Sequence, residues 1–267
     1  MKFVNNITFD VVFGSEKKSA ELRSVFHNIF ENYYKVCASS IQIDNGKIIL
    51  NLTYTVPKSN MIELDENVVV GVDLGIAVPA VCALNNNNKI REFIGSANDF
   101  IKVRTKIEAQ RRRLSKSLAL TTNGGHGRVK KMKPMEIFTK YEKNFAKTYN
   151  HNVSRKVVDF ALKNKAKYIN IEDLSGYNSS NYLLGKWSYF QLQQDIIYKA
   201  ERLGIVVRKV KAAYTSQKCS CCGNIDSANR PKGDKGQAYF KCTECGVEMN
   251  ADFNAARNIS MSTEFVD

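Results

Sequence analysis

The chain has 267 residues, and its apolar content of 43% is that of a folded protein rather than a disordered one. No stretch approaches the roughly 18–20 uninterrupted apolar residues of a membrane span. The N-terminal "MKFVNNITFDVVFG" is broken by Asn and Asp and lacks the apolar core of a secretion signal, so the expectation is a cytoplasmic, nucleoid-associated location with no membrane partner. Forty Lys and Arg against 26 Asp and Glu leave a formal net charge of +14. An excess that large favours a polyanionic partner.

In chain order, "FDVVF" and "GKIILNLTYTV" read as strands, the second opened by an Asn45-Gly46 turn. Between them Leu22, Val25, Phe26, Ile29, Phe30 and Tyr33 recur at helical spacing. Pro57 and the acids of "IELDE" separate this region from the next. From Val68 onward "VVVGVDL", "AVPAVCAL" and "KIREFIG" form three strands with short connections, which predicts an antiparallel meander.

A basic helical arm follows, with Val103, Ile107, Leu114 and Leu118 on its apolar side. Residues 102–140 hold 12 Lys or Arg and only two acids, Glu108 and Glu136. That density fits a phosphate-contacting surface, with a solvated helix face as the alternative. The glycines of "TTNGGHG" predict a break, and a second helix is expected from about Met135 to Asn164. Its apolar stripe is Ile137, Tyr141, Phe145, Tyr149, Val153 and Val157. "AKYINIEDLSG" is then a short buried strand and "SYFQLQQDIIYKAERLG" a helix closed by Gly204. "IVVRKV" is a last strand, and "NADFNAARNIS" opens a final helix. The order predicts an α/β fold with a partly antiparallel sheet, which a doubly wound dinucleotide-binding domain would not give.

Two constellations carry chemistry. Cys219 and Cys222, then Cys242 and Cys245, form two C-x-x-C-G knuckles with 19 residues between them. This is zinc-ribbon spacing, because each knuckle offers two thiolates from one turn and the glycine permits the tight backbone behind them. Buried reduced thiols or disulfides are the alternatives; Cys221 stands outside the pattern. The second constellation is acidic: Asp73 after a run of valines, Glu172 at the end of "YINIE", and Asp252 in the first turn of the final helix. Each alone has an ordinary explanation as a strand end, a turn or a helix-start acid. Together they describe carboxylates converging from two strands and a helix, two of them beside apolar residues where a lone charge is costly unless paired or metal-bound. Such a set suits two divalent ions roughly 3.5–4 Å apart that serve phosphodiester hydrolysis.

"GVDLGI", "INIEDLSG" and "NADFNAARNI", with "YTSQKCSCCG" and "FKCTECG" between the second and third, resemble the split motifs of the TnpB (OrfB) family of transposon-encoded RuvC-like nucleases, relatives of type V CRISPR effectors. The intervening "NHNVSRKVVDFALKNK" and "WSYFQLQQDIIYKAERLGI" are similar as well, so the resemblance covers roughly residues 65–260.

It implies an α/β, RNase H-like (RuvC) mixed sheet with flanking helices, an inserted zinc ribbon and a small β-rich N-terminal region. Residues 1–64 would be a reduced β-barrel-like, wedge-type nucleic-acid-binding region, 65–214 with 247–267 the nuclease domain, and 215–246 the ribbon. The implied activity is RNA-guided, metal-dependent cleavage of DNA, with guide RNA and target DNA as partners. Asp73, Glu172 and Asp252 would hold two Mg²⁺ or Mn²⁺ ions, and Cys219, Cys222, Cys242 and Cys245 a Zn²⁺. Arg104, Lys106, Arg111, Arg112, Arg113 and Lys116 would contact the guide or the heteroduplex backbone. Family members usually carry a longer region before the first motif, whereas about 70 residues precede Asp73 here. Two other readings keep the fold: a nucleic-acid-binding regulator that does not cut, and a guide-independent, resolvase-like nuclease.

Overall fold

A computed structural model describes residues 10–44, 46–56, 63–75, 77–120, 126–173, 189–211, 214–231 and 238–266. The chain divides into two compact units, Met1–Met61 and Ile62–Asp267.

In the first unit, helix α1 (Glu16–Phe30) is followed by short strands β1 (Lys35–Val36), β2 (Ser40–Asp44), β3 (Lys47–Asn51) and β4 (Tyr54–Thr55). Strands β2 and β3 form a hairpin in which Asp44 faces Lys47, the register of the expected two-residue turn, with Gly46 at φ 74°. Asn45 itself and Phe9, the first residue of "FDVVF", lie outside the described residues. Asp10 to Phe13 form no strand, contrary to expectation. Phe13 packs edge-on against Phe26 of α1 and lies under Arg23, so this segment is held by the helix instead of a sheet partner.

The second unit is built on a five-stranded sheet. Strand β5 (Asp65–Asp73) pairs antiparallel with β6 (Ala80–Leu84), and β6 pairs antiparallel with β7 (Arg91–Ile94). On the other side β5 pairs parallel with β8 (Ala166–Glu172), and β8 pairs parallel with β9 (Val206–Val210). The order is β7-β6-β5-β8-β9, the mixed α/β sheet expected from the element order. The long helices α2 (Ala97–Ala119) and α3 (His126–Lys163) join β7 to β8. Helix α4 (Tyr189–Glu201) makes the crossover that the parallel β8–β9 pair requires. A small hairpin, β10 (Tyr239–Lys241) with β11 (Glu248–Asn250), precedes α5 (Ala251–Met261).

Alternation along the strands decides what covers each face. Val70, Val72, Ala80, Cys82, Leu84, Ile169 and Ile171 face the main core with Val153 and Val157 of α3 and Leu192 and Ile196 of α4. The opposite face presents Val81 and Ala83 to Phe253 and Ala256 of α5.

The α3 stripe is only half correct. It begins at His126, before the expected start, with Gly127 tolerated in a first turn whose N–H groups have no helical partner. Residues spaced by four drift about 40° per step around a 3.6-residue helix. Accordingly Ile137 and Tyr141 are exposed, Phe145 and Tyr149 pack on Phe100 of α2, and Val153 and Val157 reach the main core. Among the described residues no helix is long and apolar enough to cross a membrane.

Candidate functional site

The face covered by α5 carries the acidic constellation. Gly71 and Asp73 of β5 alternate with the core valines, and Asn170 and Glu172 of β8 alternate with Ile169 and Ile171. The β5–β8 register pairs Gly71 with Asn170 and Val72 with Ile171, so Asp73 and Glu172 end adjacent parallel strands about 4.8 Å apart. Helix α5 lies close over Gly71, beside the backbone of Ala256 and Ser260. Asp252 is one helical turn before Ala256, which carries it toward the strand ends. The turn is fixed by Asn250, whose side chain caps α5 by accepting from the Phe253 N–H at 3.0 Å.

The three acids share one electrostatic environment. All three carboxylates are half-buried. Burial raises the Asp73 carboxyl well above its ordinary value, and the charges of Glu172 and Asp252 raise it further, against a lowering pull from Arg230. Glu172 is raised by burial and partly restored by Thr215, whose hydroxyl donates to Oε1. Gln193 Nε2 of α4 donates to the Glu172 backbone carbonyl at 2.7 Å, pinning the strand end. Asp252 is raised by burial and lowered by Arg230. The three carboxylates thus offer hard oxygen donors in a partly buried, negatively charged region, of the kind that suits Mg²⁺ or Mn²⁺, although their oxygens do not all lie within 4.8 Å of one another.

Thr215, Gln193 and Arg230 were not legible as site residues. A lone hydroxyl, amide or guanidinium carries no spacing signal of its own.

The cysteine motif folds into a second donor set. Cys219 Sγ lies 3.8 Å from Cys245 Sγ, and Cys222 Sγ 3.5 Å from Cys242 Sγ. All four sulfurs fall within 4.8 Å of one another. Four thiolates about 2.3 Å from a tetrahedral zinc would stand roughly 3.8 Å apart, so the cluster fits that ion. Among the described residues it alone brings three or more such ligand atoms within this span. Gly223 and Gly246, at φ 82° and 69°, close the two knuckles by donating to the Cys219 and Cys242 carbonyls. Burial opposes ionisation of Cys242, but amide N–H donors from Cys245 and Glu244 and neighbouring thiols outweigh it and bring the group down to about 6. Cys221 is exposed, and its N–H donates to Cys219 Sγ.

The basic residues divide. Arg104 is 2% exposed; its Nε meets Glu142 Oε1 at 3.0 Å, and its guanidinium lies over Phe100. It sits in the α2–α3 seam rather than on an open surface, because position 104 shares the inward face with Phe100 and Ile107. Arg111 also binds Glu142, at 2.9 Å, and donates to Thr139. Lys106, Arg112, Arg113 and Lys116 point outward, with Arg112 80% exposed.

Comparison with known proteins adds an independent observation. Residues 189–259 match the family model described as Cas12f1-like, TNB domain. The chain is 40% identical over 244 residues to a CRISPR-associated endodeoxyribonuclease Cas12f1 from Sulfoacidibacillus thermotolerans, covering 90% of this chain and 56% of the relative. It is 30% identical over 139 residues to the TnpB-like protein MJ0751 of Methanocaldococcus jannaschii, covering 49% of this chain and 48% of that one. Its backbone superposes on the cryo-EM structure of a Cas12f1–sgRNA–target DNA complex with a TM-score of 0.74 at 27% identity, over 94% of this chain and 52% of that one. The chain spans about half the length of the curated relatives it matches.

Proposed function

The chain belongs to the family that joins TnpB-like proteins to the compact type V CRISPR effectors, and on that premise we propose that it is a divalent-metal-dependent, RNA-guided DNA endonuclease. In this reading the five-stranded sheet is an RNase H-like (RuvC) core formed by residues 65–214 and 247–267. Residues 215–246 are its zinc ribbon, and 1–64 are a wedge-type region that contacts nucleic acid. Guide RNA and target DNA are the partners, with base pairing supplying sequence specificity.

The observation that carries the proposal is the placement of three carboxylates: the adjacent parallel strands β5 and β8 end at Asp73 and Glu172, and α5, packed over Gly71, opens with Asp252 in its first turn. Three acids drawn from two strand ends and a helix start are costly to gather unless cations compensate them. Asp73, Glu172 and Asp252 would hold two Mg²⁺ or Mn²⁺ ions, which would supply Lewis-acid activation of water and charge neutralisation for phosphodiester hydrolysis. The chain's own groups keep the ligands in place. Thr215 and Gln193 fix the Glu172 side chain and backbone, and the Asn250 cap fixes the first turn around Asp252. Arg230 adds a positive charge beside Asp73 and Asp252, suited to a phosphate oxygen of the bound strand. Lys106, Arg112, Arg113 and Lys116 supply an exposed cationic surface for a sugar–phosphate backbone.

The test is cleavage of matched duplex DNA by the protein purified with its RNA, in Mg²⁺, against Asp73→Ala and a mismatched target. Cleavage that depends on the match and disappears in Asp73→Ala is expected. Cleavage surviving in Asp73→Ala overturns the site. Cleavage indifferent to the RNA favours a guide-independent nuclease, and tight binding without nicking in any divalent ion favours a regulator.

A further inference from the structure

Helix α5 does more than carry Asp252. Two residues on, it presents Asn254 and Asn258 one turn apart on a single face, both buried. Asn254 Oδ1 accepts from the Ser220 N–H at 2.9 Å, and its Nδ2 donates to the Lys218 carbonyl at 2.7 Å. Asn258 Nδ2 donates to the carbonyls of Thr215 at 2.8 Å and Lys218 at 2.6 Å. The segment they grip, residues 215–220, begins with the hydroxyl that binds Glu172 and contains Cys219, the first sulfur of the ribbon.

A third buried amide completes the connection from the ribbon side. Asn229 Nδ2 donates to the Gln217 carbonyl at 2.8 Å, and its Oδ1 accepts from the N–H of Thr243, the neighbour of Cys242, at 2.8 Å. Asn229 thus ties both knuckles together and directly precedes Arg230.

From this arrangement we infer that the cysteine ribbon is a positioning device for the carboxylate centre, acting through Asn229, Asn254 and Asn258. Glu172 is reached through Thr215, Asp252 through Asn254, and Arg230 through Asn229. Buried amides in these numbers are stable only with their partners in place. Loosening either knuckle therefore releases the partners that orient two carboxylates and the cation. Groups that orient metal ligands from behind alter metal affinity about 10–100-fold when removed. Zinc loading of the ribbon is read out as divalent affinity at the acids. The inference rests on the carboxylates being a metal centre, as proposed above.

Mn²⁺ binding, followed by electron paramagnetic resonance with zinc content measured on the same samples, tests it. Asp73→Asn defines the background. Asn254→Leu is expected to keep one zinc per chain yet bind Mn²⁺ about 10–100-fold more weakly than wild type. Wild type stripped of zinc and dialysed is expected to show a comparable loss. Mn²⁺ affinity within about threefold of the zinc-loaded wild type, in either sample, overturns the inference; a merely structural asparagine would lower Tm and leave the affinity unchanged. If Asn254→Leu does not fold, the zinc-stripped wild type decides alone. A wild type that binds no more Mn²⁺ than Asp73→Asn overturns the carboxylate centre itself, a result distinct from normal binding in every sample.

Discussion

Gly71 of β5 and Ala256 of α5 approach so closely that a β-carbon on Gly71 would lie 1.9 Å from the Ala256 carbonyl oxygen and 2.3 Å from the Ser260 nitrogen. Both obstacles are backbone, so no side chain can swing away. Gly71→Ala must push α5 off the sheet, and with it Asp252. The expected cost is about 3 kcal/mol, the upper end for overpacking. It should appear as a fall in Tm of roughly 6–12 °C for a unit of this size. Gly75→Ala, outside the helix contact, meets only the Val78 carbonyl at 2.9 Å and serves as the milder comparison.

Stability should fall with rising pH when no divalent ion is present. Asp73 is raised by burial, then by Glu172 and Asp252; Glu172 and Asp252 are raised by burial. An acid whose folded value exceeds its unfolded one holds its proton more tightly when folded. Its contribution is complete below the ordinary carboxylate range, about pH 4, and is lost as pH climbs through the raised values. Calorimetry in EDTA should show that slope, and Asp73→Asn should flatten it and raise Tm at neutral pH. Saturating Mn²⁺ should reverse the trend, adding about 2.7 kcal/mol at a hundredfold excess over Kd.

Zinc stoichiometry separates the cysteines. Cys242→Ser is expected to lose the ion and Cys221→Ser to retain one per chain, measured by metal analysis after gel filtration. Structural zinc in isolated fingers contributes about 10–16 kcal/mol of apparent binding free energy, so the first variant should also unfold its hairpin at lower temperature.

Arg104 and Arg113 lie on one helix and should fail in different ways. Arg104→Ala leaves Glu142 with Arg111 alone and opens a buried seam, for a loss of about 3 kcal/mol. Arg113→Ala should move stability by no more than about 0.5 kcal/mol. It should instead weaken nucleic-acid binding and reduce the salt slope by about 0.9 per lost phosphate contact. Thermal melts and salt-dependent binding distinguish the two.

Much of the site was legible because strands alternate. Valines at 70 and 72 commit Asp73 to the opposite face, and Ile169 and Ile171 do the same for Glu172. The cysteines were legible because four thiols at fixed intervals have few other uses. What escaped depends on partners distant in sequence. Counting charge gave the basic arm its sign but not its faces, so Arg104 looked like its exposed neighbours. A strict spacing of four passed for a stripe on α3 although it winds around the helix. Asn254 and Asn258 have the composition of a solvated helix face, and only the 215–220 loop shows otherwise. Gly71 gave no hint that a helix backbone rests on it.

The close contact over Gly71 also sets a schedule. Asp73 and Asp252 are separated by roughly 180 residues, so at about 5–20 residues per second a ribosome delivers the second some 10–35 seconds after the first. During that interval the Gly71 face of a nascent β5–β8 pair has no α5 to cover it. A growing chain therefore holds an open sheet face and no complete acidic centre until α5 arrives. Completion of the acidic centre therefore waits for α5, and slow codons between β8 and α5 should lengthen the period in which the chain is prone to misassociate.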